Sequence, residues 1–365
     1  MTSQHTGVLA EAEAIRRYLD SPDPADLLAL NFGFAKARVL DTALELGVFT
    51  LLAGKPRNAA EAAEALGCSP DGTERLLAAL VELGLLATTA AGHYAVTPAS
   101  ETYLVRGGAG DLGQHFIEVM RQWERWESLA DVVRSGSSQR SSQDDLGNLG
   151  ARGAHPGLFA ENFPFAIRLA YQALDRVPVP AGGRVLDLTS GAGEWGIALA
   201  LHHSDITVTA HDDPALLNLT RARVEEFGLA DRFSFVSANF AAPPFPDAHF
   251  DLVIFAQAGR FIGGKAIGHL VGECARMLRP GGQIVIADVL KNSSGKPAPP
   301  RAMLDLSLLV NTRQGRLVER SEYLAYLADA GLRPTTETAR TETAGAETTR
   351  GLVSVLTGVK GAGGV

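Results

Sequence analysis

The stretch Val185-Leu186-Asp187-Leu188-Thr189-Ser190-Gly191-Ala192-Gly193-Glu194-Trp195-Gly196 decides how this chain is read. A short aliphatic run ends in an acid, a glycine-bearing turn follows, and a helix pattern begins at once. Glycines at 191 and 193 let the backbone approach a ligand where a Cβ would clash. The helix that follows aims free N–H groups and a positive end at the same place. Gly191, Gly193 and Gly196 satisfy G-x-G-x-x-G, so on the glycines alone a nicotinamide dinucleotide stays open. Asp187 stands ahead of them, able to face a cationic ligand group. Asp212 ends the next strand, where ribose hydroxyls sit with either cofactor.

Outward from this turn, strand and helix alternate as a doubly wound parallel sheet requires. Strands are expected at Val185–Leu188, Ile206–Ala210, Phe233–Val236, Leu252–Phe255, Ile284–Ala287 and Leu352–Thr357, with helices at Trp195–His202, Ala215–Phe227 and Lys265–Leu278. The amino-terminal part reads as helices followed by a hairpin, the outline of a winged helix-turn-helix. Asn58-Ala59-Ala60-Glu61 is a capping box and Ser69-Pro70-Asp71-Gly72 opens the next helix. That helix carries Glu74, Arg75 and Glu82 without a basic cluster, which argues against DNA. The preceding Leu27–Leu46 segment is apolar on several faces and asks for a second copy of the chain. The α/β architecture is therefore expected as residues 1–105, a winged-helix-like dimerisation domain; 106–180, a helical linker contributing to a substrate chamber; and 181–365, the nucleotide-binding sheet. Ser135–Pro156 reads as a surface loop or lid, and Pro334–Thr349 as a Thr- and Glu-rich surface run ahead of a frayed Gly361–Val365 tail.

Composition closes several other doors. The chain has 365 residues, 46% hydrophobic and 20% charged, enough for a sizeable core. Lys+Arg 33 against Asp+Glu 41 gives a net charge of -8 and no general attraction to nucleic acid or anionic membrane. Cys68 and Cys274 exclude a disulfide framework or a cysteine-rich metal site, and His202-His203 are helix neighbours that cannot share a metal. No apolar run reaches the roughly 18 residues of a membrane span, and Glu11, Glu13, Arg16, Arg17 and Asp20 do not read as a signal peptide. A cytoplasmic protein without metal, nucleic-acid or membrane partners is expected.

With Asp212-Asp213-Pro214, Gly228-Leu229-Ala230-Asp231-Arg232 and Leu278-Arg279-Pro280-Gly281-Gly282 added, the chain resembles the class I S-adenosylmethionine-dependent methyltransferases of the caffeate/acetylserotonin O-methyltransferase type. The resemblance runs from Leu40 to Asn311 and includes bacterial natural-product enzymes. It implies S-adenosylmethionine or S-adenosylhomocysteine as cofactor and a homodimer through the amino-terminal domain. It places Gly191 and Gly193 along the methionine portion, Asp212 on the ribose hydroxyls with Asp213 beside it, and Asn239-Phe240 at adenine. Asn239 can accept from the adenine amino group through its side-chain oxygen. Thr189 stands where the family carries an earlier glycine.

The departure that matters follows the fourth strand. Relatives place a base histidine there, and Ala256-Gln257-Ala258-Gly259-Arg260 puts Arg260 over it. A guanidinium with a pKa above about 12 takes no proton near neutrality. His269, on the following helix, is the alternative base if the alignment slips. Gln257 and Arg260 are expected to face the sulfonium, Arg260 with an anionic or strongly polar partner. Losing the base points to a small-molecule methyltransferase of specialised metabolism that is C- or N-directed. The alternative is a cyclase or isomerase that keeps the cofactor without methyl transfer. A DNA-binding regulator rests on the winged helix alone. Trp123, Phe159, Asn162 and Phe163 are expected on one wall of the chamber, with Met303, Leu306 and Asn311 on the other.

Overall fold

The computed structural model describes residues 23–138, 141, 145, 147–240, 242–291, 300–335 and 353–361. The charges at 11–20, nearly all of the Thr- and Glu-rich run and the 362–365 tail lie outside the described residues. The chain divides at Gly108–Ala109 into two compact units.

In the first unit, α1 (Ala25–Asn31), α2 (Gly33–Leu46), α3 (Val48–Gly54), α4 (Ala59–Leu66) and α5 (Pro70–Glu82) precede a hairpin of β1 (Leu86–Thr88) and β2 (Tyr94–Val96), then α6 (Pro98–Tyr103). The capping box at Asn58 is complete: its side chain accepts from Glu61 N at 2.9 Å and Glu61 returns the bond to Asn58 N. Ser69 caps α5 through Gly72 N. Phe49, Leu52, Leu77 and Leu80 close this core. On α1, by contrast, Leu27, Leu28 and Leu30 are 70%, 62% and 77% exposed, an apolar face that the described residues do not cover.

The second unit begins with α7 (Gly113–Met120), α8 (Trp123–Glu127) and α9 (Leu129–Ser135). Phe116 and Met120 thus lie on one short helix, Trp123 and Trp126 on the next and Leu129 on a third, so their three- and four-residue spacing does not run along a single helix. A 3₁₀ turn (Leu149–Ala154), α10 (Pro156–Ala160) and α11 (Phe163–Ala173) lead to the sheet. There β3 (Arg184–Asp187), α12 (Glu194–His202), β4 (Thr207–His211), α13 (Pro214–Glu226), β5 (Phe233–Val236), β6 (Phe250–Ala256), α14 (Gly264–Met277), β7 (Leu278–Asp288), α15 (Arg301–Asn311), α16 (Arg320–Asp329), β8 (Leu332–Pro334) and β9 (Ser354–Lys360) follow in turn.

The strand order is β5-β4-β3-β6-β7-β9-β8. β3 to β7 are parallel, and β9 runs antiparallel between β7 and β8. Both faces are buried, which is why the strands read as continuous apolar runs. Val185, Ile254 and Val285 pack with Leu169, Trp195 and Ile197 on one face. Leu186, Val253 and Ile284 pack with Val271, Cys274 and Tyr323 on the other. Lys360, ending β9, donates from Nζ to the carbonyls of Ala275 and Leu278 at 2.7 Å each. No helix among the described residues is long and apolar enough to cross a membrane.

Candidate functional site

β3 and β6 are neighbours, while β4 lies on one side of the pair and β7 on the other. Their carboxyl ends therefore form the switch point at which an open parallel sheet leaves a crevice. The turn after β3 is stitched on both sides. Thr189 Oγ1 donates to Ala256 O at 3.1 Å, tying the turn to the end of β6. Ser190 N donates to His211 O, and Asp212 Oδ2 accepts from Gly191 N at 2.8 Å. A Cβ on Gly193 would stand 2.7 Å from Thr220 Cγ2 at φ +92, so only glycine brings α12 this close to α13. The threonine in place of the earlier family glycine is thus a fastener of the turn.

Three carboxyls crowd this turn. Asp187 and Asp212 are fully buried, and Glu194 nearly so. Burial pushes Asp187 up to about 8, with the Glu194 charge adding to it. Burial also pushes Glu194 up to about 7 and raises Asp212, which Arg152 pulls back. Arg152 comes from the 3₁₀ turn, with Nη1 3.2 Å from Asp212 Oδ2 and its guanidinium 4.8 Å from the Phe159 ring centre.

A cavity of about 340 Å³ opens over this turn and the end of β6. Five of its lining residues carry a buried polar atom with no hydrogen-bond partner among the described residues: His115 Nδ1, Arg152 Nη1, Trp195 Nε1, Gln257 Nε2 and Arg260 Nε. Unsatisfied buried polar groups are rare in native proteins, so such a cluster calls for a ligand. S-adenosylmethionine fits. It offers a carboxylate for Arg152 and an ammonium for Glu194. Asp212, Gly191 and Gly193, expected along the cofactor, do not line this cavity: Asp212 is fully buried and accepts from Gly191 N and Asp213 N at 2.8 Å each. A second cavity of about 810 Å³ is lined by Asp213, Asn239, Phe240 and His269, and Leu149 and Asp145 line both.

After β6 the arrangement is closed. Gln257 sits at φ +57, held by its N–H to Ala287 O at 2.8 Å. Arg260 Nη1 donates to Gln257 Oε1 and to Asp288 Oδ1, both at 2.6 Å. Asp288 also accepts from Arg260 N at 3.0 Å and from Tyr323 OH at 2.8 Å. The anionic partner expected for Arg260 is therefore Asp288, at the end of β7.

Of the residues expected at the site, Thr189, Phe159, Asn162, Gln257, Arg260 and Asn311 line the smaller cavity. Asp213 caps α13 through Ala215 N and, with Asn239 and Phe240, lines the larger one. Several expectations are corrected. His269 lines the larger cavity and not the smaller one that Arg260 lines. Phe163 is 5% exposed, belongs to the core on one face of the sheet and packs edge-on to the half-exposed Phe227. Trp123 is 47% and Met303 50% exposed, and neither they nor Leu306 line the cavity; α15 turns Leu304, Ser307, Leu308 and Asn311 to it instead. Asp187 lies beneath the turn, accepting from Gly196 N at 2.9 Å, and does not line the cavity. The expected 135–156 surface loop dips inward at Arg152, whose side chain is only 9% exposed.

Arg152, Glu194 and His115 escaped the sequence reading. Glu194 is in the decisive stretch itself, an acid at the first helical position. Arg152 is, with Arg140, one of two arginines in a Ser- and Gly-rich segment, and nothing along the chain says that it is buried.

Family comparison agrees with this geometry. An O-methyltransferase dimerisation domain matches residues 28–106 and a methyltransferase domain residues 185–282. The chain is 30% identical to the acetylserotonin O-methyltransferase of Bos taurus, over 82% of this chain and 90% of that protein. It is 28% identical to the tetracenomycin polyketide synthesis 8-O-methyl transferase TcmO of Streptomyces glaucescens, over 84% and 91%. It is 25% identical to the N,N-dimethyltransferase OxyT of Streptomyces rimosus, over 84% and 90%. The crystal structure of human N-acetylserotonin methyltransferase in complex with SAM superposes with a TM-score of 0.75 at 24% identity, over 93% of this chain and 99% of that one.

Proposed function

Since the chain belongs to the S-adenosylmethionine-dependent methyltransferases of the acetylserotonin O-methyltransferase type, we propose that it methylates a ring carbon or an amine nitrogen of a small aromatic natural product. It is a methyltransferase, and S-adenosylmethionine is its cofactor. When bound, the cofactor supplies an electrophilic methyl group on a sulfonium.

The chain's own residues divide the work. Asp212 takes the ribose hydroxyls, and Arg152, released from it, takes the methionine carboxylate. Glu194, beside Gly191, faces the ammonium. Asn239 and Phe240 hold adenine in the larger cavity, and the smaller one takes the methionine end beside Arg152 and Glu194 with the acceptor next to it. The observation that carries the C- or N-directed reading is the Arg260–Asp288 pair. A guanidinium fixed by two acceptors cannot take a proton from a hydroxyl, whereas a ring carbon or an amine brings its own electron pair. The relationship to OxyT supports nitrogen as one such atom. A second copy of the chain covers the exposed α1 face, in keeping with the dimerisation-domain match.

The test is incubation with methyl-labelled cofactor and a panel of aromatic amines and oxygenated aromatics, with the product read by carbon NMR. Label on carbon or nitrogen supports the reading, and label on oxygen sinks it. Turnover without label would favour the cyclase or isomerase alternative.

A further inference from the structure

The five unpartnered atoms of the smaller cavity are not equivalent. Those on Arg152, Trp195, Gln257 and Arg260 are guanidinium, indole and amide nitrogens, which only donate, and Arg152 Nη1 is already ion-paired with Asp212. A molecule that satisfies them must be rich in acceptor oxygens. The fifth, His115 Nδ1, belongs to an imidazole, which in its neutral form can accept a proton. His115 is carried by α7 and lines the cavity with Phe159 and Gln257. Burial lowers its pKa, so the ring is neutral at pH 7 and open to a proton.

The other titratable groups on this cavity are Asp145, Arg152, His155, Glu194 and Arg260. Asp145 Oδ1 accepts from Gly147 N and Arg313 N. Glu194 Oε2 accepts from Ala192 N at the cofactor turn, and the two arginines are paired with Asp212 and Asp288. His155 precedes α10 in the same segment as Arg152.

We propose that His115 is a catalytic proton acceptor for a phenolic acceptor, a role the position after β6 cannot fill. The proton passes from the phenol O–H to Nδ1, leaving an imidazolium and a phenolate, and is later released to solvent. The freed electron pair is shared between the oxygen and the ring carbons ortho and para to it. Such a carbon would form the new bond to the methyl group as the methyl–sulfur bond breaks, and the hydrogen on that carbon would then leave as a proton to restore the aromatic ring, the oxygen regaining one from solvent. The unpartnered donors on Gln257 and Arg260 suit the oxygens of this acceptor. The proposal rests on the methyl-transfer reading above and narrows its carbon-or-nitrogen choice to a phenol-activated carbon.

The test uses the full-length protein without cofactor and 7-hydroxycoumarin, a phenol whose neutral and ionised forms absorb at different wavelengths. At pH 6.5 the bound probe should show an ionised-to-neutral ratio about tenfold above that in water. His115→Gln should bind the probe but return the ratio to its value in water. The proposal is overturned by an unchanged ratio in His115→Gln, by a bound probe that stays neutral in the wild type, or by no binding at all. Circular dichroism establishes that the variant is folded, and His115→Asn replaces it if it is not. Label placed on oxygen by the wild-type enzyme overturns the carbon-directed reading while leaving the ionisation result intact, so the two failures are separable.

Discussion

The ends of β3 and β6 lie side by side, yet they meet burial in opposite ways. After β3, three carboxyls share one nearby cation, Arg152, and two of them are pushed far above their ordinary range. After β6, Arg260, Gln257, Asp288 and Tyr323 close on one another through direct hydrogen bonds. The first region carries electrostatic cost that a cationic ligand relieves; the second has paired its charge internally and keeps only the donors Gln257 Nε2 and Arg260 Nε without a hydrogen-bond partner among the described residues. Side by side they teach that a ligand site is recognised by what is left unsatisfied, and that a charged residue at a catalytic position can be a fixture of the frame.

The largest effect expected from this contrast is at Asp212. Asp212→Ala removes charge-assisted bonds to buried hydroxyls and should weaken S-adenosylhomocysteine by roughly 2–4 kcal/mol. Unchanged affinity by calorimetry would move the ribose away from β4. Next comes Arg260→Ala, which leaves Asp288 without its charge partner and should lower turnover by about tenfold or more at nearly constant cofactor affinity. Parallel losses in turnover and cofactor affinity would show that the two strand ends are not separable.

A pH effect follows from the β3 side alone. Asp187 and Glu194 keep their protons in the folded protein up to about 8 and about 7. The unfolded chain releases them near pH 4, so it binds fewer protons over the interval between, and stability falls as pH rises through it. The melting temperature of the cofactor-free protein should therefore drop between about pH 5 and pH 8. Glu194→Gln should flatten the part of this fall that lies below about pH 7. A scan in which wild type and variant give the same slope would remove Glu194 from the balance. The smallest effect is expected at His269→Ala, which should change turnover by less than about twofold; abolished activity would restore His269 as the base.

How much of this was legible follows the same divide. Strand positions were, because burial on both faces writes them as apolar runs: Ile206–Ala210 was expected where β4 is Thr207–His211. The places of Gly191 and Gly193 in the turn after β3 and of Asp212 after β4 were legible because short chain distances fix them, whereas none of the three lines a cavity. The Asp288 partner of Arg260 was not, since a charge pair between two strand ends leaves no periodic trace. Nor was the phase of α15. Met303 and Leu306 are as apolar as Leu304 and Leu308, and only packing decides which of them the helix turns inward. Arg152 and His115 stayed hidden because a sequence shows which groups are polar but not which polar atoms lack a partner.

β9 has a consequence for how the molecule is made. It is the last described strand in chain order, yet it lies inside the sheet, between β7 and β8. Synthesis is vectorial, and domains begin to fold from the amino-terminal side while the chain is still on the ribosome. Until residues 354–360 emerge, β7 presents an open edge of unpaired N–H and C=O groups, and β8 has no strand to join. The Lys360 anchor to the carbonyls at 275 and 278 comes last of all. A ribosome stalled before this strand would hold a nascent chain whose nucleotide turn and switch point are already made but whose sheet has an exposed, sticky border.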